Sequence, residues 1–332
     1  MLDRRCNKPT NMIINIKPTD IESESKFLSG WKLPEHDFIW ALGPINIIHI
    51  PVGPTSEYRG KNLYFAIKLD VPITASNPAG SRLTVSLGGI VLFDKTIKGR
   101  DRLVFHAPAS TTSPRLDILH ITNHNLASID GMALGFRLYE IEIEEIPILQ
   151  EGDIVTFGLG SRYNAILGSG WKDPEEGFCW SSGIRSRLTL CFEPEACCQD
   201  ERGGVRVAEI LMTVSFHDRH NPEFPYWHVL DFLSNELLLH RQIHPGIRGL
   251  VPINAYVPLG SNATGELEVI DYCASSPAYL GNDPNDNNVL GFQLISLELK
   301  RIHTLPVTDM PAVAELLEPG SPLMRRTQEE VK

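Results

Sequence analysis

Apolar and polar residues alternate along several short stretches of this chain. The clearest are Leu83–Leu87 and Leu188–Phe192, and shorter examples are Leu116–Ile118 and Leu267–Val269. A period of two is typical of a β-strand with one buried and one solvent-facing side. The 26 Gly and 24 Pro residues of the chain favour frequent turns, which would keep the strands short. The pattern therefore predicts an all-β fold.

A sixteen-residue segment occurs twice. Residues 28–43 read LSGWKLPEHDFIWALG and residues 168–183 read GSGWKDPEEGFCWSSG, with nine identical positions at an offset of 140. Each copy lies between an apolar lead-in and a predicted strand, Ile45–Ile50 or Arg187–Phe192. We interpret both segments, called the Trp loops below, as connections between strands in two homologous modules.

The two modules also end alike. Residues 134–146, LGFRLYEIEIEEI, and residues 290–302, LGFQLISLELKRI, share the pattern F-x-L-x-x-[IL]-x-[IL]-x-x-I. Phe136 and Leu138 fit one face of a strand, but Ile141 follows only after three residues, so the period-two phase slips once. The same slip in both copies predicts a β-bulge at this point.

At 332 residues the chain is long enough for two domains. The repeats predict tandem, homologous β-sandwich modules of jelly-roll type over 11–147 and 148–304, followed by a C-terminal tail over 305–332. One large sandwich built from both repeats is the alternative. The second module is expected to gain residues mainly between 216 and 250, in surface loops. Within that region Phe232–His240 fits a helix face, with a strand as the alternative. The tail is expected either to fray or to dock on a neighbouring subunit.

The Trp loops admit two interpretations. In the first, the indoles close the open end of each sandwich and bond their N–H groups to backbone carbonyls. In the second, an indole face stacks on a sugar ring while a carboxylate binds the sugar hydroxyls. The residues expected to pack and to stiffen the loop are Trp31, Pro34, Trp171 and Pro174. The residues expected to be more accessible and to bind carbohydrate are Trp40, Glu35, Trp180 and Glu175.

The shared pattern G-W-x-x-P-E-x-x-F-x-W-x-x-G resembles a signature of β-sandwich modules that accompany bacterial glycosyltransferases and surface-polysaccharide assembly proteins, G-W-x-x-P-E-x-W-G-x-W-S-x-G. The second copy is closer, through Trp180–Gly183, and both copies depart at the middle aromatic, where Phe38 and Phe178 stand. The resemblance implies an accessory, non-catalytic protein that binds a glycan or a glycosyltransferase. It carries over no catalytic residue.

Charge and hydropathy narrow the classes of partner. Lys and Arg number 30 against 41 Asp and Glu, which gives a net charge of −11 at pH 7. A nucleic-acid ligand is not expected, because phosphate binding requires a basic surface. No apolar run reaches the roughly 18–20 residues of a membrane helix, and no secretory signal is recognised. We therefore expect a cytoplasmic protein without direct membrane insertion. Membrane association through a partner and oligomer formation are left open.

Other candidate chemistry is sparse. The six cysteines lack C-x-x-C spacing, and His217 and His220 lie in a loop with no helix to fix a metal-ligand spacing. Asp283 and Asp286, in an Asn- and Asp-rich turn, are weak calcium candidates. The sequence contains no P-loop, nucleotide-binding glycine motif or nucleophile elbow. We expect no cofactor and no catalysis. A structural or assembly protein and a carbohydrate-active hydrolase or esterase are the alternatives.

Overall fold

The structure of the chain is a computed structural model, which describes residues 13–20, 26–50, 52, 61–75, 77–108, 118–129, 131–193, 205–216, 227–245, 249–260, 263–274 and 289–305. The chain divides into two compact units, Met1–Ile146 and Pro147–Lys332, which we call module 1 and module 2. The candidates that lie outside the described residues are Asp283, Asp286, His217, His220 and the tail beyond residue 305.

Strands make up nearly all of the regular structure. Module 1 contains β1 (Ile13–Ile16), β2 (Phe27–Ser29), β3 (Ile39–Trp40), β4 (Ile45–His49), β5 (Asn62–Val71), β6 (Ser81–Leu87), β7 (Ile90–Ile97), β8 (Gly99–Pro108), β9 (Ile118–Asn123), β10 (Ala127–Ile129), β11 (Met132–Leu134) and β12 (Arg137–Glu145). Module 2 contains β13 (Ile148–Leu149), β14 (Ile154–Thr156), β15 (Cys179–Ser182), β16 (Arg185–Phe192), β17 (Val205–Phe216), β18 (Trp227–Ser234), β19 (Leu237–Pro245), β20 (Leu250–Pro258), β21 (Thr264–Asp271) and β22 (Leu290–Leu305), with a short 3-10 helix at Arg162–Ile166. The described residues include no α-helix, and the prediction of an all-β fold is confirmed.

Each module has two five-stranded sheets, and their strand plans agree except at the outermost strand of the back sheet. There β2 is antiparallel to β4, whereas β13 is parallel to β16. Module 1 also has a two-stranded sheet, β10-β11. In module 1 the front sheet has the order β1-β12-β5-β8, with β3 beside β12, and the back sheet has the order β2-β4-β9-β6-β7. In module 2 the front sheet has the order β14-β22-β17-β20, with β15 beside β22, and the back sheet has the order β13-β16-β21-β18-β19. Strands β12, β5 and β6 thus correspond to β22, β17 and β18. The prediction of tandem, homologous β-sandwiches is confirmed.

The core of module 1 lies between its two sheets. Burial alternates along β6, so that Leu83, Val85 and Leu87 point inward from the back sheet. From the front sheet, Phe65 and Phe105 stack with 5.2 Å between their ring centroids and join the same buried cluster. Apolar side chains of both sheets thus leave water together, which is the main driving force for a two-layer fold.

A β-bulge interrupts the closing strand of each module at the predicted place. In module 1 the register of β12 against β5 shifts between Leu138 and Glu140, which leaves Tyr139 as the extra residue. In module 2 the register of β22 against β17 shifts at Ile295, and a second time at Lys300. Because the extra residue corrects the phase, apolar residues on both sides of the bulge reach the core. The predicted bulge is confirmed.

The described part of the segment from 216 to 250 is not the expected surface insertion. It holds β18 and β19, which belong to the back sheet and correspond to β6 and β7 of module 1. The expected helix at Phe232–His240 is also wrong, and the strand alternative is correct. Asn235 and Glu236, with φ of 49° and 67°, form a tight turn that joins the two strands in a hairpin. The helix was expected because the leucines around this turn have the spacing of a helix face, and because neither turn residue is a glycine.

Candidate functional site

Each Trp loop is a β-hairpin of its own. In module 1 Trp31 pairs with Ala41, and at the tip Glu35 exchanges backbone hydrogen bonds with Phe38 at 2.8 and 2.9 Å. The same two pairs recur 140 residues later in module 2. The predicted connection between strands therefore has a fixed geometry that both modules share.

The glycine at the base of each hairpin is required by the backbone. Gly30 and Gly170 have φ of +85° and +86°, a conformation that residues with side chains rarely adopt. A Cβ atom at either position would also overlap a backbone carbonyl oxygen, that of Ile45 or that of Arg185. Glycine thus lets the hairpin approach the strand that follows it.

The tips of the two hairpins differ, although their lengths are equal. A positive φ falls on His36 in module 1 (48°) and on Gly177 in module 2 (84°), one position further along. The two turns are therefore of different types, and only His36 adopts this region as a non-glycine residue. Pro34 is exposed and Pro174 is half-buried, each directly before the tip.

The first indole of each loop ties the hairpin to the back sheet. The Nε1–H of Trp31 donates to the carbonyl oxygen of Ile47 at 3.0 Å, and the Nε1–H of Trp171 donates to that of Arg187 at 2.7 Å. Each ring also meets a buried phenylalanine edge-on: Phe136, just before β12, at 5.8 Å and Phe292 in β22 at 5.7 Å between centroids. These contacts are the ones that the packing interpretation describes for this pair of indoles.

The second indole of module 1 is covered by a cation of the same module. Trp40 pairs with Arg137, and because their neighbours Ile39 and Leu138 are buried in the core, both side chains lie on the outer side of the front sheet. The guanidinium of Arg137 lies 4.7 Å from the centre of the indole and binds Asp70 at 3.3 Å. Trp40 is only 5% exposed, so the expectation that it is accessible is wrong.

The corresponding position of module 2 is uncharged. Trp180 pairs with Gln293, which stands in the place of Arg137, and Gln293 pairs in turn with Ser215, where module 1 has an aspartate. Trp180 is half-buried and contacts Phe178 edge-on at 6.0 Å. An indole, an amide and a hydroxyl therefore share the outer side of this front sheet.

These residues belong to a row of four that crosses each front sheet. The outer row of module 1 is Trp40, Arg137, Asp70 and Arg100. The outer row of module 2 is Trp180, Gln293, Ser215 and Leu250. The first row contains an ion pair, whereas the second joins neutral polar groups to apolar surface, with Leu250 66% exposed. Sequence reasoning identified only the tryptophans. The sequence of the closing strands shows the exchange of Arg for Gln, but it does not show which strands pair with them.

The two carboxylates predicted to bind sugar lie at the hairpin tips. Glu35 pairs with Lys32, and the hydrogen bond from that ammonium, with a further one from Trp40, lowers the pKa of the Glu35 carboxyl. Glu175 is exposed at the same place in module 2. The structure therefore brings Glu35 to Trp40, and it keeps the carbohydrate-binding candidates in two loops, one in each module.

The part of the chain that the structure describes contains neither a cluster of metal ligands nor a membrane-spanning helix. No three His, Cys, Asp or Glu side chains come together there as metal ligands. No helix among those residues has the length and hydropathy to cross a bilayer.

Comparison with known proteins gives only a weak structural likeness. No protein-family model matches the chain, and no curated protein matches it. The tandem CBM51 carbohydrate-binding modules of the family 98 glycoside hydrolase from Streptococcus pneumoniae match with a TM-score of 0.23 at 10% identity, over 87% of this chain and 93% of theirs. The extracellular domain of ANXUR2 from Arabidopsis thaliana matches with a TM-score of 0.27 at 11% identity, over 90% and 89%. The M60 catalytic domain with two CBM51 domains of ZmpB from Clostridium perfringens matches with a TM-score of 0.21 at 11% identity, over 79% and 34%. At these values the likeness assigns no function to this chain.

Proposed function

We propose that the protein binds carbohydrate through the outer row of module 2. The observation that carries this proposal is the exchange of Arg137 for Gln293 beside otherwise equivalent tryptophans. In module 1 a guanidinium held by a carboxylate covers the indole. In module 2 the amide of Gln293 and the hydroxyl of Ser215 take those two positions, next to the half-buried indole of Trp180.

This combination of groups suits a sugar. A pyranose ring has an apolar C–H face that packs on an aromatic ring, and a rim of hydroxyls that hydrogen-bond to amide, hydroxyl and carboxylate groups. Leu250 extends the apolar surface beyond Ser215, and Glu175 is an exposed acceptor at the tip of the same hairpin as Trp180. Because the row contains no cation, a neutral sugar is favoured over an acidic one.

The biological setting of this binding is proposed from the Trp loop. Its resemblance to modules that accompany bacterial glycosyltransferases supports a non-catalytic role in surface-polysaccharide biosynthesis, with the glycan or a glycosyltransferase as the partner. Module 1, whose indole is covered by Arg137, then serves as a scaffold. To distinguish these two partners, the full chain is immobilised on a column, and retention of a glycosyltransferase is measured in the absence of added glycan.

A glycan array followed by titration tests the binding proposal. The full-length protein is screened on neutral and acidic bacterial oligosaccharides, and each ligand found is titrated by calorimetry. Gln293→Arg installs the module 1 residue, and it should weaken binding by about tenfold or more because the guanidinium then competes for the indole. Trp40→Phe, in the covered row, is the matched control and should leave Kd unchanged.

Two outcomes would contradict the proposal. One is a full-length protein that binds no glycan on the array. The other is a bound glycan whose Kd is the same in the wild type, in Gln293→Arg and in Trp180→Ala, because the ligand would then lie elsewhere. The melting temperature of each variant is measured alongside, so that loss of binding is separated from loss of fold.

A further inference from the structure

The inner side of the β18–β19 hairpin contains buried histidines. Three cross-strand pairs line it: Phe232 with His240, Leu230 with Gln242, and His228 with His244. His228 and His240 are 2% and 7% exposed. The apolar side chain of Ile243 points the other way and is 58% exposed. Strand β19 thus turns polar residues toward the core, the reverse of an ordinary edge strand.

Module 1 shows what the same hairpin looks like without histidines. Gly135 approaches Asn123 in module 1 as Gly291 approaches Asp271 in module 2, and these contacts align the two back sheets. The strand registers then match three residues of module 2 with three of module 1: His228 with Ser81, His240 with Phe93, and His244 with Ile97. Every titratable ring on this face therefore replaces a group that does not titrate.

Each buried histidine packs on a phenylalanine. The ring of His228 lies 4.1 Å from that of Phe216 in the front sheet, and its Nδ1 lies 3.3 Å from Asp271 on β21. Its Nε2 has no hydrogen-bond partner among the described residues. The ring of His240 stacks on Phe232 at 4.5 Å. A proton added to the ring of His240 would bring charge into a nearly dry environment.

Charged groups surround the hairpin on several elements. At its turn Glu236 lines a cleft with Arg187 of β16 and with Glu266 and Glu268 of β21. The others are on β18, β19 and β21. Asp231 on β18 binds Arg241 on β19 at 2.5 and 2.6 Å and accepts a hydrogen bond from the Tyr272 hydroxyl at 2.9 Å. Asp271, at the end of β21, faces His228. Asp231 is therefore satisfied by two donors of its own, and Asp271 is the carboxylate that faces a buried ring.

Burial disfavours the protonated form of the two histidines on β19. It lowers the pKa of His240 to about 4, with the Asp231 carboxylate and the backbone of Asn254 opposing the shift. Burial, and then the nearby ring of His228, lower the pKa of His244. A histidine whose folded pKa lies below its unfolded value of 6.5 stabilises the closed hairpin fully above pH 6.5. That contribution is lost as the pH falls toward 4.

We propose that the β18–β19 hairpin is an acid-sensitive element of module 2, in which protonation of His240 and His244 opens this edge of the sandwich. The β6–β7 hairpin of module 1, with Phe93 and Ile97 in their place, stays closed over the same range of pH. The two modules thus respond differently to acid, although they share a strand plan.

Hydrogen–deuterium exchange of the full chain at pH 7.5 and pH 5.0, corrected for the pH dependence of chemical exchange, tests this proposal. Peptides from β18–β19 should open with an equilibrium constant about 30-fold larger at pH 5.0, the factor that follows for one group with a pKa of about 4 folded and 6.5 unfolded. Peptides from β6–β7 should change less than about threefold. The double variant His240→Phe, His244→Ile, which carries the module 1 residues, should lose the acid response.

A reciprocal variant keeps the test decisive even if the double variant does not fold. Phe93→His places a histidine at the corresponding position of module 1 and should make β6–β7 open more at pH 5.0 than at pH 7.5. The proposal is overturned if wild-type β18–β19 opens equally at both values of pH, or if the folded double variant keeps the 30-fold response. It is also overturned if Phe93→His shows no acid response.

Discussion

The guanidinium of Arg137 lies 4.7 Å from the centre of the Trp40 indole, on the outer side of the module 1 front sheet. Asp70 binds the same guanidinium, so a carboxylate and an aromatic face fix the cation together. Arg137→Gln copies module 2. It should uncover the indole at a cost of about 1 kcal/mol, and tryptophan fluorescence should shift to the red and become more sensitive to acrylamide quenching.

Arg100→Gln serves as the control for that prediction. Arg100 lies at the far end of the same row and packs over Tyr139 at 4.8 Å rather than over the indole. Its removal should leave the quenching of tryptophan unchanged. Equal quenching in wild type and Arg137→Gln would mean that the cation does not shield Trp40.

The hairpin of module 2 offers a matched pair of glycines. Gly170 and Gly177 have nearly the same φ, +86° and +84°, but only a Cβ at Gly170 would meet another atom within 4 Å, the carbonyl oxygen of Arg185 included. Gly177→Ala should therefore cost about 1–2 kcal/mol through backbone strain alone. Gly170→Ala adds the overlap and should cost roughly 3 kcal/mol or more. Thermal unfolding compares the two variants, and equal melting temperatures would refute the overlap.

Substitution of the first indole by phenylalanine should have the same effect in both modules. Trp171→Phe keeps an aromatic ring but removes the N–H that binds the carbonyl of Arg187, and Trp31→Phe removes the equivalent bond to Ile47. Each should cost about 1–3 kcal/mol, because a carbonyl is left without its donor. Urea unfolding measures both. A loss of stability in one module alone would show that the two indoles, despite their matching geometry, do not stabilise both modules.

Glu144→Gln should stabilise module 1 at neutral pH. Burial, and then the nearby Glu142 carboxylate, raise the pKa of Glu144 above its ordinary value of 4.5. Since the folded state disfavours the ionised form, this carboxyl destabilises module 1 increasingly as the pH rises above 4.5. The variant should raise Tm by a few degrees at pH 7 and have little effect at pH 4. Glu145→Gln removes the bond to Lys61 at 2.6 Å and should not raise Tm at either pH.

Features that belong to a single strand were predictable from the sequence. The phase slip at Tyr139 and Ile295 is a property of one stretch of chain, so it could be read without knowledge of the partner strands. Pairing between distant strands could not be predicted from the sequence. Strand β18 carries the buried polar residues His228 and Asp231 within its apolar run, which weakens the alternation and made this part of the back sheet resemble a loop.

The two indoles of one hairpin show that, for the site too, local contacts could be predicted from the sequence but contacts between distant strands could not. Trp31 lies next to its glycine and its packing role could be predicted, because its partners are a neighbouring strand and the core. The burial of Trp40 depends on Arg137 and Asp70, which reach it only through the pairing of β3, β12 and β5. A loop that shares nine of its sixteen residues between the two modules therefore lies in two different electrostatic environments.

The bulge at Tyr139 and Ile295 divides each closing strand into two parts. The first part, residues 137–138 of β12 or 290–294 of β22, pairs with the Trp loop, and the second part continues along the core. The extra residue absorbs the change of phase between the two parts, and in module 2 a second shift follows at Lys300. The first part and its Trp loop can therefore differ between the modules, as Arg137 and Gln293 do, without displacing the apolar residues that follow the bulge.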